Sequence, residues 1–192
     1  MLVRYRHIAI CLAWSAVMAG GGCRAMRTNG SSLANARTVP LASDIIGVRR
    51  YFANNPFLSF DDQSDPNPEG FKVTYYAISG ATQEGAFGDG VIRFKMYVIE
   101  PGQEGEPASG RLVKTWEFDP QQAMGWRIRR KGALGWPYLF HLNWGDADPY
   151  GKEVRIVPEF VRTDGRVIKG SPKDLKVPVR KQEVILLDEA RL

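Results

Sequence analysis

The chain has 192 residues, of which 44% are hydrophobic and 24% charged, and a net charge of +5 at neutral pH. This is ordinary globular composition, long enough for one well-buried domain and crowded for two. Without the first 22 residues, which hold Arg4 and Arg6 and no acid, 24 basic residues face 21 acidic ones, and the remaining +3 excludes the concentrated basic footprint of a nucleic-acid binder.

Arg4, Arg6 and His7 form a positive leader, residues 8–18 are an apolar run, and Ala19-Gly20-Gly21-Gly22 is a small-residue junction. This is the layout of an export signal over residues 1–22, with an apolar run too short to span a bilayer permanently. Cys23 follows at once. The arrangement resembles the lipobox of bacterial lipoproteins, which implies a diacylglycerol on Cys23 that anchors the mature chain in a membrane. That family usually carries Leu three residues before the cysteine, where this chain has Gly20, and ordinary cleavage to a periplasmic or secreted form is the alternative. Cys11 would leave with the signal, so Cys23 is the only cysteine of the mature chain. Lipid attachment would use a thiol otherwise open to oxidation. Residues 24–43 are rich in Ser, Asn, Thr and Ala and lack hydrophobic period. With Cys23 they read as a disordered tether with a reach of roughly 25 Å, leaving residues 44–192 as a single domain.

In that domain Ile45, Ile46 and Val48 predict a short strand that ends before the Asn54-Asn55-Pro56 turn. Phe57-Leu58-Ser59-Phe60 leads into residues 61–70, a run of turn formers holding four acids. Residues 71–79 and 91–99 predict strands, the second with Ile92, Phe94, Met96 and Val98 opposite Arg93, Lys95 and Tyr97. A Gly/Pro/Glu loop over residues 100–110 precedes a strand marked by Leu112, Trp116 and Phe118. Asp119-Pro120 predicts one helical turn, because Asp caps well and Pro fits the first helical position. Residues 126–130 read as a short strand. Residues 138–144 read as another, with Tyr138, Phe140, Leu142 and Trp144 opposite Leu139, His141 and Asn143.

Over residues 152–179, Val154, Ile156 and Phe160 share one parity opposite Glu153, Arg155 and Glu159. Asp164-Gly165 supplies a hairpin turn, and Leu175, Val177 and Val179 bring a second strand back beside the first to bury a matching face. Residues 184–187 are a last apolar run, strand or helical turn. About eight strands without a long amphipathic helix predict an all-β antiparallel β-sandwich with one short helical turn. The closing hairpin resembles the last two strands of immunoglobulin-like and fibronectin-type sandwiches of secreted bacterial proteins, which implies an immunoglobulin-like arrangement.

Candidate chemistry is sparse. The mature chain has one histidine, His141, no Gly-x-Ser-x-Gly and no cysteine beyond Cys23, a poor set for nucleophilic catalysis or zinc. No cofactor is expected, and His141 is expected on the sheet surface with Asn143. Asp61 and Asp65, with Asp62, Asn67 and Glu69, supply oxygen ligands of the kind calcium takes, as does Asp146-Ala147-Asp148. If the two loops met they would be similar in a general way to calcium-dependent C2 domains. The spacing is not that of an EF-hand, and two solvated loops are the plainer expectation.

Trp126 and Trp136 lie near loops and are candidates for stacking on sugar rings, with core or rim packing the plainer expectation; Trp116 and Trp144 are expected in the core. Arg127, Arg129 and Lys131 would share one face of an extended segment. They are a candidate contact for anionic lipid headgroups or acidic cell-wall polymers, against a solvated charged edge strand. The expectation is an exported, lipid-anchored module of the bacterial cell envelope, non-catalytic, binding another envelope protein or a cell-wall polymer. A carbohydrate-binding module and a hydrolase working through loop carboxylates such as Asp146 and Asp148 are the alternatives.

Overall fold

Strict alternation of apolar and polar side chains gives most of this chain one dry face and one wet face per strand, and two such faces close on each other. The structure, a computed structural model, describes residues 36–60, 67–100 and 109–181. Cys23, Asp61, Asp65 and the apolar run at 184–187 lie outside the described residues.

The first sheet is built on β3 (Gly70–Ser79), which pairs along one edge with β1 (Ile45–Tyr51) and β2 (Phe57–Leu58). Along its other edge lie β7 (Tyr138–Asn143) and the short β4 (Gly85–Ala86). In the second sheet β5 (Val91–Glu100) lies between β6 (Ser109–Phe118) and β8 (Glu153–Val161). The far edge of β8 pairs with β10 (Lys173–Lys176) and then β9 (Val167–Lys169). All pairings between these strands are antiparallel. The fold is an all-β sandwich.

Phe71, Val73, Tyr75 and Ala77 of β3 and Tyr138, Phe140 and Leu142 of β7 face Ile92, Phe94, Met96 and Val98 of β5 and Val154, Ile156 and Phe160 of β8, all buried. The Tyr75 ring stands edge-on to Phe94, Tyr138 and Phe140 with centroids 5.5–6.1 Å apart, the geometry aromatic quadrupoles prefer. Its hydroxyl donates across the core to the Glu159 carbonyl at 3.2 Å, tying one sheet to the other. Burial pushes the Tyr75 hydroxyl well above its ordinary pKa and that of Tyr138 up to about 12, so both stay protonated.

The helical turn, α1 (Pro120–Ala123), begins at Asp119 with a full capping box, in which Asp119 accepts from the Gln122 amide and Gln122 accepts from the Asp119 amide. It runs straight into a 3₁₀ turn, Met124–Trp126, so the expected strand at 126–130 does not form. Only a single bridge between Arg127 and Tyr138 remains of it.

The closing hairpin turns at Asp164-Gly165 as expected, with Gly165 at φ +81° and the Arg162 amide donating to the Arg166 carbonyl. The returning strand, however, is broken into β9 and β10. Pro158 explains the gap: its carbonyl accepts from Gly170 on that edge, so its nitrogen faces the same edge and has no hydrogen to offer. Val177 is buried just beyond β10, whereas Val179 is 44% exposed and packs no matching face, because the ladder has already ended at Lys176. Glu159 lies on the outward parity yet is only 1% exposed, covered by Arg93 and Lys95, which both pair with it.

The packed chain also starts earlier than Asp44. Ala36 is buried, the Ala42 amide donates to the Phe87 carbonyl at 2.7 Å, and Ala42 bridges Gly88. Residues 36–43 therefore belong to the domain surface and not to the tether. Among the described residues the core is drawn from residues 36–177.

Candidate functional site

At the end of the sandwich where β7 stops and β3 and β8 start, two turns and the chain after β10 enclose a polar groove of about 480 Å³. Asn67 and Glu69 line one side, Asn143 to Asp148 the other, and Tyr150 and Arg180 complete it. The groove is held by backbone geometry. The Trp144 amide donates to the Glu69 carbonyl at 3.0 Å, the Tyr150 hydroxyl to the Pro68 carbonyl at 2.6 Å, and the Lys181 amide to Asn67 Oδ1 at 2.9 Å. The Gly145 amide donates to Asn143 Oδ1 at 2.6 Å, an Asx turn that shapes the 143–146 corner. Trp144, 2% exposed, stands edge-on to Phe71 and Tyr150 and makes the floor.

Asn67 and Glu69, at the described end of the first loop, thus meet Asp146 and Asp148 of the second. The carboxylate of Asp148 is already engaged: Arg180 Nη2 donates to its Oδ1 at 3.3 Å while the guanidinium lies 4.5 Å from the Tyr150 ring centroid. A cation beside a carboxylate opposes a second cation there. Among the described residues no three Asp, Glu, His or Cys side chains converge closely enough to hold a metal ion. With Asp148 already paired to Arg180, addition of millimolar calcium is expected to leave the melting temperature unchanged by calorimetry. A chelator-reversible rise that is lost in Asp65→Asn or Asp148→Asn would reinstate the calcium site.

The remaining candidates lie along β7 and towards its other end. Trp126 is half-buried against Phe118, Phe140 and His141, and Trp136 is half-buried against Phe87, so both are rim residues of the core. His141 is not simply exposed on the sheet surface: its ring stands between Phe60 and Trp126. Burial, with Lys72 beside it on β3, lowers its pKa, which keeps the imidazole neutral near pH 7. No carboxylate is positioned on it among the described residues.

Arg127 departs most from expectation. It is 9% exposed, its guanidinium lies 4.3 Å from the Phe87 ring centroid, and its Nη1 donates to the Ala36 carbonyl at 3.0 Å. It is not on one face with its neighbours, because the helical turn before it rotates its side chain inward. Arg129 and Lys131 are exposed, as is Arg130, and Lys131 pairs with Glu84 at 2.6 Å.

No family model matches the chain, and no curated protein matches it. Among solved structures the chain is similar to MtrC from Shewanella baltica OS185, at 11% identity with a TM-score of 0.38, over 70% of this chain. The match spans 22% of that longer protein.

Sequence reasoning missed Arg180 and Tyr150 as groove residues. Asn67 and Asp148 stood in the right loops, but Arg180 is held at the groove by ties on either side of it: the Val177 amide donates to the Lys152 carbonyl, the Gly151 amide to the Pro178 carbonyl and the Lys181 amide to Asn67 Oδ1. No local pattern announces such a long-range tie.

Proposed function

We propose that this chain is an exported, lipid-anchored β-sandwich of the bacterial cell envelope that works as a non-catalytic binding module. The groove carries the reading. It brings together carboxylates, carboxamides and one guanidinium on a braced frame, a set suited to hydrogen-bonding a polar ligand and poorly suited to covalent chemistry. Asp148 is paired with Arg180, Glu69 accepts from the Phe60 amide, and among the described residues no carboxylate is positioned on His141 to make it a base. Anchoring rests on Cys23 and the leader before it; no helix among the described residues is long and apolar enough to cross a membrane.

The same polar lining favours a second reading, in which the ligand is a cell-wall polysaccharide. Binding of the purified mature chain to isolated cell-wall polysaccharide, measured by calorimetry, is then expected to weaken about tenfold or more in Arg180→Ala. That is the scale for losing a hydrogen bond made by a charged group. Unchanged affinity in that variant would remove the groove from the binding surface. Polymer breakdown abolished by Asp146→Asn would replace both readings with a hydrolase.

A further inference from the structure

We propose that the turn at residues 129–134 is a membrane-docking surface that seats the domain on anionic phospholipid headgroups, leaving the groove at the far end pointing away from the bilayer. The proposal deepens the lipid-anchored reading and rests on it. Three observations converge on this turn.

The first is its build. Gly132 and Gly135 exchange backbone hydrogen bonds at 2.9 and 3.1 Å, closing a tight loop with Ala133 and Leu134 at its tip. The loop is stapled to β4, since the Gly85 amide donates to the Leu134 carbonyl and the Trp136 amide to the Gly85 carbonyl, both at 2.7 Å. Gly135 has φ +99°, and a Cβ there would lie 2.4 Å from Gly85 backbone atoms, so only glycine permits this staple. The tip is therefore held in place, with Leu134 36% exposed.

The second is its chemistry. Arg129, Arg130 and Lys131 lead into the apolar tip, all exposed, and Arg129 and Arg130 make no ion pair among the described residues. Glu84 offsets one of the three charges by pairing with Lys131. A cationic collar behind an apolar tip matches an anionic headgroup layer over acyl chains.

The third is its place on the chain. Arg127, two residues before the collar, binds the carbonyl of Ala36, the first described residue. Cys23 is 13 positions earlier in the sequence. Arg129 to Lys131 lie within roughly 15 Å of Arg127 by chain length alone. β7 runs from Tyr138, which bridges Arg127, to Asn143 at the groove, so the turn and the groove lie towards opposite ends of that strand and a domain seated on the turn keeps the groove clear of the bilayer.

The test uses the mature chain, residues 23–192 with Cys23→Ser, which carries the entire described core and no lipid. It is floated with vesicles of phosphatidylcholine with or without phosphatidylglycerol. We expect binding to the anionic vesicles only, weakened by added salt. Each basic residue at an anionic surface contributes roughly fivefold, so Arg129→Gln/Arg130→Gln/Lys131→Gln should lose about a hundredfold in partitioning. Leu134→Ser should lose several-fold with thermal unfolding unchanged. Equal binding to neutral vesicles, or unaltered partitioning of the triple variant, overturns the proposal. Retention on an anionic polysaccharide without vesicle binding overturns it too, and assigns the turn to a cell-wall polymer. Failure of the anchor itself is read separately, from the intact mass of the full chain recovered from cells.

Discussion

Replacing Phe160 by alanine is expected to lower the unfolding free energy by about 3–5 kcal/mol, towards the upper part of that range. The ring is fully buried at the end of β8. Its walls explain why the loss should be large. A Cβ on Gly88 would fall 2.4 Å from Phe160 Cζ and one on Gly90 2.9 Å, so the ring rests directly on two stretches of backbone. Side chains can lean into a void left by truncation, whereas a backbone pinned by the Ala42–Phe87 and Tyr138–Gly88 hydrogen bonds cannot. A domain with a total stability of about 5–15 kcal/mol would lose about a fifth of it or more. Urea unfolding followed by tryptophan fluorescence checks this: the midpoint should fall with little change in slope. Val167→Ala, at an exposed position of β9, is the control and should stay within about 0.5 kcal/mol. A Phe160→Ala midpoint equal to that of the control would contradict the assignment of this ring to the core.

Much of the sandwich was legible because strand parity is a local property. Ile92, Phe94, Met96 and Val98, or Val154, Ile156 and Phe160, need only the period of two to declare which side is dry. The Asp119 cap with Pro120 after it and the Asp164-Gly165 turn were legible for the same reason. What sequence did not show depends on partners far along the chain. Arg127 turns inward because Phe87 offers a ring face and Ala36 a carbonyl, separated from it by 40 and 91 positions. Glu159 is buried because Arg93 and Lys95 on β5 cover it. The break in the returning strand was within reach, since Pro158 stands in plain view, but its consequence depends on which edge of β8 its nitrogen faces. Pairing sets that, and composition does not. The groove was half legible: the acid-bearing turns were evident, their meeting and the arrival of Arg180 were not.

Cys23→Ala is expected to abolish lipid attachment and to redistribute the chain almost completely. Either the domain leaves the membrane or it stays held by an uncleaved leader, and intact mass separates the two. The magnitude follows from acyl burial. Each buried methylene contributes about 0.8 kcal/mol, a single chain gives only marginal and reversible binding, and two or three chains hold a polar domain durably. Without them, attachment would fall to the basic turn at residues 129–134, whose few charges give a salt-sensitive association that washing disrupts. Fractionation of cells producing the native chain and the variant, at low and high salt, reads both terms. The native chain should remain with the membrane at either salt and carry the mass of a diacylglycerol on a chain that begins at Cys23. A native chain beginning at Gly22 or Met26 without lipid mass would end the lipoprotein reading and leave a periplasmic or secreted domain. The variant tests the cysteine itself: the leader, the apolar run and the small-residue junction are all intact in it, so a loss of lipid can be traced only to the missing thiol.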